Sequence, residues 1–418
     1  MSTLVYLLVT IFYAGVLWVL IESTFHQWVK YRNAEFIRDY KWITLEIKLP
    51  REINKSPAAM EAVLEAFQQG GGLRTWWDRY RKGNMLSWFS LEIASFGGDI
   101  HFFIRTHEKF KNIIESYIYA QYPGIEIFEV EDYTDSFRYD PKEHEILGGH
   151  FVLEKEDYMP VKTYVDYGLD KDPKEEFKTD PITPMLEFMG SLKGNQQLWY
   201  QILIRSDRFV DWKKEAKDEV AKRFMRVPKE GKEEDAKLFT EHKLTQGEKD
   251  EIRAIERSTT KAGFEVFIQA LYMAPHSETD SNKTSSFVGM LKPFGSPAFN
   301  SFRVQEDTSF VFPWQDRADG RKLIRLKQKF FKRFVLRMYS QYWSTIDAFS
   351  LSYEINSRID RFLRHGHNYF SAPKNKDSFI LNIEELATMY HFPGKVAGTP
   401  TFKRISSTKS EAPSNLPV

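Results

Sequence analysis

A chain of 418 residues with 42% hydrophobic and 15% aromatic content has the material for two or three packed domains, which excludes a disordered protein. Its 59 basic and 58 acidic residues nearly cancel, so net charge names no nucleic-acid or membrane partner and any such case rests on charge distribution. Cysteine is absent, which excludes disulfide scaffolds, thiolate zinc sites and a cysteine nucleophile while leaving the compartment open.

The first element is the uncharged run Leu4 to Ile21, which includes Trp18 and ends at Glu22. At helical rise it reaches about 27 Å, close to the thickness of a bilayer core. A cleaved signal peptide is the competing reading, but Met1 to Thr3 carry no Lys or Arg and no A-x-A-like site follows. Residues 1–28 are therefore expected to form a single-pass transmembrane anchor. Lys30, Arg32, Arg38 and Lys41 follow the span closely, which predicts a soluble region on the cytoplasmic side of a bacterial membrane.

In Trp42 to Leu49 the apolar Ile43, Leu45, Ile47 and Leu49 alternate with polar residues, the pattern of a half-buried strand. Ser56-Pro57 supplies an N-cap and a first-turn proline for a helix on which Met60, Val63, Leu64 and Phe67 share a face until Gly70 to Gly72. Strands over Leu86 to Phe96 and Ile100 to Thr106 meet at Gly97-Gly98, a hairpin signal. Thr106 can cap a helix striped by Phe110, Ile113, Ile114, Tyr117 and Ile118, and Pro123-Gly124 stops it before a strand over Ile125 to Val130. The order is β-α-β-β-α-β, the ferredoxin-like pattern, over residues 29–140.

A looser copy is expected over 141–310: a strand at Val161 to Tyr167, a helix from Thr183-Pro184 and a strand at Leu198 to Arg205. Charged helices near Val210 to Met225 and Thr245 to Arg257, within an insertion over 208–260, precede a strand at Phe264 to Met273. Thr245-x-x-Glu248 matches a capping box. A short helix near Ser285 to Leu291 and a strand near Phe299 to Val304 close the copy. The expected fold class is thus α+β, with two ferredoxin-like units behind one membrane helix. Residues 311–400 hold a basic helix, Arg321 to Met338, and a short helix over Ile383 to Tyr390; 401–418 read as a flexible tail.

Catalytic motifs are missing. Gly231-Lys232 and Gly394-Lys395 are followed by Glu233 and Val396, so neither ends a phosphate-binding G-x-x-x-x-G-K-[ST] loop. G-x-S-x-G, H-E-x-x-H and G-x-G-x-x-G do not occur either. His365 and His367, with Asp360 nearby, form an H-x-H set able to hold a metal, but a polar turn around Gly366 is the plainer reading. No cofactor, metal or catalytic residue is expected. The acidic pairs Glu131-Asp132 and Glu175-Glu176 read as solvated surface. His101 and Phe103 share a strand face without the Gly-aromatic signature of RNA recognition, and packing or protein contact is expected there.

Charge is distributed unevenly: Glu131 to Asp180 holds 15 acidic and 7 basic residues, Arg321 to Lys409 17 basic and 6 acidic. In the basic helix Leu323, Leu326, Phe330, Phe331, Phe334 and Met338 form an apolar stripe beside Arg321, Lys322, Arg325, Lys329, Lys332 and Arg333. An amphipathic helix docked on the core is the expectation. Contact of those six cations with lipid or nucleic-acid phosphates is the alternative.

The stretches LEIKLPREINKSPAAMEAVLEAF (45–67), WFSLEIASFGGDIHFFIRT (88–106), ESYIYAQYPGIEIFEVEDY (115–133) and LNIEELATMYHFPG (381–394) carry a family resemblance. They resemble the membrane-anchored N-terminal region of proteins related to type IV secretion and conjugative coupling ATPases of candidate-phyla bacteria. In longer relatives a P-loop ATPase domain follows a segment resembling Ala412 to Pro417. The resemblance implies a stand-alone anchoring module beside a separately encoded P-loop ATPase. The expected role is a non-enzymatic scaffold that docks this ATPase or copies of itself; the alternative is a membrane-tethered nucleic-acid-binding module using helix 321–338.

Overall fold

The computed structural model describes residues 2–38, 41–50, 53, 55–68, 75–84, 86–170, 179–206, 212–225, 245–279, 281–309, 320–337 and 377–394. They fall into two compact units. The first takes its described residues from Met1–Lys41 and Gly70–Ser87, the second from Trp42–Gln69, Trp88–Met338 and Lys376–Val418.

In the first unit α1 (Ser2–Arg38) is a 37-residue helix that continues ten residues past the expected anchor boundary at 28. Leu4, Trp18 and Ile21 are 62%, 55% and 60% exposed. The hydroxyls of Thr10 and Thr24 donate to the carbonyls of Tyr6 and Leu20, each at 2.8 Å, so neither needs water. The helix is long and apolar enough to cross a membrane, with a mean hydropathy of 2.5, a property that a signal sequence shares. The short α2 (Trp76–Tyr80) is capped by Thr75, whose hydroxyl accepts from the Asp78 N–H at 3.1 Å.

The second unit is built on one antiparallel sheet. Its elements are β1 (Trp42–Lys48), α3 (Ala58–Glu65), β2 (Trp88–Phe96), β3 (Asp99–His107), α4 (Lys111–Gln121) and β4 (Glu126–Val130). Then come β5 (His144–Leu153), α5 (Thr183–Gly190), β6 (Gln197–Ser206), α6 (Trp212–Met225), α7 (Gln246–Thr260), β7 (Gly263–Pro275), α8 (Ser281–Gly289) and β8 (Phe302–Glu306). The chain continues through α9 (Arg321–Leu336), β9 (Phe379–Asn382) and α10 (Ile383–Met389). The strand order is β4-β1-β3-β2-β6-β7-β5-β8, with β9 paired to β7. The mixed α+β class is as expected. The boundary expected at 140/141 lies between β4 and β5 of a single sheet, whose two halves join where β2 pairs with β6 from Trp88↔Arg205 to Phe96↔Gln197.

The β2–β3 hairpin turns on Gly97 and Gly98, at φ 61° and 100°; a Cβ on Gly97 would lie 2.6 Å from the Gly194 carbonyl oxygen. Thr106 does not cap the following helical turn. It remains in β3, and the His107 ring accepts from the Lys109 N–H at 3.0 Å.

A strand expected at Val161 to Tyr167 is corrected: those residues are irregular and, from Tyr164, form turns, and the strand is β5. Gly148-Gly149 interrupts the alternation that would have revealed β5. At Gly148 the gap is needed, because a Cβ there would lie 2.1 Å from the Phe330 ring.

Alternation along the strands gives the sheet two buried faces. One carries Phe89, Leu91, Ile93, Ile202, Ile204 and Ile268, packed with Met60, Val63 and Leu64 of α3, Ile114 and Ile118 of α4, Met185 and Met189 of α5 and Leu386 of α10. The opposite face carries Ala94, Phe103, Trp199, Leu271 and Met273 beneath Tyr133 and beneath Phe330 and Phe334 of α9.

Candidate functional site

On the α9 side, strand register lines up Glu46, Phe103, Glu92, Gln201, Gln269, His150 and Gln305 in one row across seven strands. Glu92, Gln201, Gln269 and His150 are buried. A buried polar group costs stability unless it is hydrogen-bonded, so their partners decide what the row does. Gln269 donates to Gln201 at 2.8 Å, Gln201 to the Tyr133 hydroxyl at 3.2 Å, and that hydroxyl to Glu92 at 2.6 Å.

Arg337, just past α9, closes the network. It is the one non-glycine residue at positive φ among the described residues, at 49°, and caps the helix in the left-handed conformation. Its guanidinium donates to both oxygens of Glu92, at 2.6 and 3.1 Å, and to both of Asp132, at 2.8 and 2.9 Å. Its carbonyl accepts from the Trp88 indole at 2.9 Å. Arg105 lies 3.3 Å from Asp132. Burial opposes the Arg337 charge, but Glu92, Tyr133 and Asp132 hold the guanidinium above its ordinary pKa. Burial likewise opposes the charge on Asp132, yet Arg337 and Arg105 keep the carboxyl below its usual range. Both groups stay charged at neutral pH, which suits a clamp rather than a proton-transfer pair.

The clamp fixes how α9 presents its charges. Lys327, Phe330 and Phe334 face the sheet, and Lys327 pairs with Glu145. Phe331 is half-buried, 5.7 Å from Tyr139 and 5.9 Å from Phe137 between ring centres. Arg321, Lys322, Arg325, Lys329 and Lys332 are exposed, whereas Arg333 is half-buried. The structure thus docks the basic helix and groups five of the six expected cations outside it.

Other sequence candidates separate. Asp132 belongs to the clamp, and Phe103 is stacked under Tyr133 at 4.8 Å with His101 beside it, a packing arrangement. Glu175-Glu176, Asp360, His365 and His367 lie outside the described residues, as do Gly70 to Gly72 at the expected helix end. Among the described residues no group of three or more His, Asp or Glu side chains is arranged to hold a metal. Sequence reasoning missed the Arg337–Glu92–Asp132 clamp; its local signal is Glu92, a carboxylate within the otherwise uncharged strand WFSLEIASF.

No curated protein matches the chain. Residues 26–403 match the family described as "Domain of unknown function (DUF8128)", and the chain belongs to that family.

Proposed function

We propose that the protein is a membrane-tethered, non-enzymatic scaffold whose soluble region lies in the bacterial cytoplasm and docks a P-loop ATPase of a secretion or DNA-translocation system. The ATPase comes from the sequence resemblance. The observation that carries the docking role is α9: Phe330 and Phe334 are buried against the sheet and its end is clamped by Arg337, leaving Arg321, Lys322, Arg325, Lys329 and Lys332 as an exposed cationic row. Charges held on a rigid element recognise an acidic surface without the cost of ordering it on binding. We read the sheet as two ferredoxin-like units fused through their second strands. The orders β4-β1-β3-β2 and β8-β5-β7-β6 support this, since each corresponds to strands 4-1-3-2 of a β-α-β-β-α-β path.

The test is capture from detergent-solubilised native membranes with the full chain and with Arg325, Lys329 and Lys332 all changed to Glu. The expected result is a P-loop ATPase retained by the unaltered chain and lost by the variant; retention of no ATPase by either sinks the reading. Carbonate extraction that releases the full-length protein would overturn the tether.

The exposed row also favours a second reading, a membrane-tethered nucleic-acid-binding module. That reading expects tight binding that weakens steeply with salt and flattens when Lys329, Lys332 and Arg333 become Gln, because fewer counterions are released. Filter-binding titrations at two salt concentrations decide it.

A further inference from the structure

Beyond the apolar run of α1, the same helix builds an open groove. Phe25, Trp28 and Arg32 line it from α1, and Trp77, Tyr80 and Arg81 from the α2 segment, around a volume of about 510 Å³. The segment is seated closely: a Cβ on Gly83 would lie 2.4 Å from the backbone of Arg32, and φ of 70° at Gly83 makes that approach accessible to glycine. Arg32 donates through Nε to the Arg81 carbonyl at 2.7 Å and pairs with Glu35. Phe25 and Tyr80 sit 5.4 Å apart, and the Arg81 guanidinium lies 4.3 Å over the Trp77 ring. Asp78 and Lys82 neutralise each other at 2.8 Å. Arg81 makes no ion pair with another described residue, so the described lining side chains hold two arginines, of which Arg32 alone is paired, with Glu35.

Position identifies the occupant. With a rise of about 1.5 Å per residue, Phe25, Trp28 and Arg32 lie about 6, 10 and 16 Å past Ile21 along the helix axis, from the headgroup layer, roughly 5–8 Å deep, into the water that borders it. Trp and Tyr concentrate at that depth, and an arginine fork matches phosphate oxygens. We propose that this groove seats the phosphate-bearing headgroup of an anionic membrane lipid, with the Arg81 guanidinium on the phosphate and Trp28 and Trp77 flanking the glycerol region. The proposal rests on α1 crossing a membrane.

The experiment uses the full chain in mild detergent with either phosphatidylglycerol or phosphatidylcholine, and counts retained lipid by native mass spectrometry. Arg81 is exposed and Trp77 is 49% exposed, so Arg81→Gln and Trp77→Ala leave the fold intact. Phosphatidylglycerol is expected to be retained in preference to phosphatidylcholine, and Arg81→Gln to lower its retention about five-fold, the worth of one basic residue near an anionic surface. Trp77→Ala should lower retention as well, and Arg81→Lys should restore part of it. Equal retention of the two lipids, or wild-type retention in both Gln and Ala variants, overturns the proposal. Displacement by inorganic phosphate at matched concentration overturns the lipid as the source. Carbonate release of the protein would remove the tether and this proposal together, whereas carbonate resistance without lipid preference would overturn the groove alone.

Discussion

Arg337 lies 245 residues from Glu92 and 205 from Asp132 in sequence, yet it joins both. Replacing it by Met keeps much of the volume but leaves Glu92 buried without its counter-charge, a change expected to cost about 3–5 kcal/mol. Arg337→Met combined with Glu92→Gln should recover part of that loss, and urea unfolding of both variants checks it; equal stability of Arg337→Met and the unaltered chain would refute the clamp. A pH effect belongs to His150, which lies 2.6 Å from Asp307 and 3.7 Å from Asp377, beside the Phe267 ring. Burial alone would lower its pKa, but the two carboxylates raise it to about 9. A raised histidine binds its proton more tightly in the folded state. Its stabilisation is therefore full below the unfolded value near 6.5 and is lost as pH rises through about 9, on the order of 3 kcal/mol in all. Unfolding curves of the unaltered chain and His150→Gln should converge over that window, and a constant difference from pH 6 to 9.5 would contradict the assignment. None of these pairings is legible locally, because each joins residues that only strand register brings together.

Elements were more legible than pairings, and the reasons are local. Thr245 and Glu248 form the expected capping box ahead of α7, with the Thr245 hydroxyl accepting from the Glu248 N–H at 3.3 Å. Gly97-Gly98 turns the hairpin because both glycines adopt positive φ. The stripe of α4 is narrower than expected: Ile114 and Ile118 are fully buried, Phe110 and Ile113 pack half-buried against the core and Tyr117 is exposed, so a charge at 114 would be more damaging than one at 113. The strand β5 is hidden because Gly148 yields to Phe330, a contact 182 residues away. The amphipathic reading of α9 makes its own prediction. Phe334, fully buried against Trp199 and Phe330, should cost roughly 3 kcal/mol or more when changed to Ala. Gln at Lys329 and Lys332 should leave the melting temperature almost unchanged, since both side chains are exposed. Thermal melts of both variants test this, and a silent Phe334→Ala would mean that α9 is not seated on the sheet.

At the scale of the whole molecule, the sequence suggests two successive units, whereas the sheet makes each half depend on the other. The β2·β6 ladder lies at the centre of the strand order, and β2 is buried along nearly its whole length. An isolated β1–β4 segment would expose the β2 edge as unpaired backbone beside Trp88, Phe89 and Leu91, a template for aggregation. The C-terminal elements reinforce the dependence. β9 pairs with β7 in the second half through Gly263↔Asn382 to Val266↔Phe379, while α10 packs on α3 in the first. Glu385 couples them further, because its carboxylate accepts from the Asn382 and Val161 N–H groups, each at 2.8 Å. A fragment of residues 42–140, expressed alone, is therefore expected to self-associate and to lack a cooperative melt. Coexpression with a fragment of residues 141–394 should restore a soluble pair through the β2·β6 ladder. Sedimentation velocity and circular dichroism of the fragments, singly and together, measure this directly. A monomeric 42–140 fragment with a sharp thermal transition would show that the ladder joins two independent domains rather than completing one.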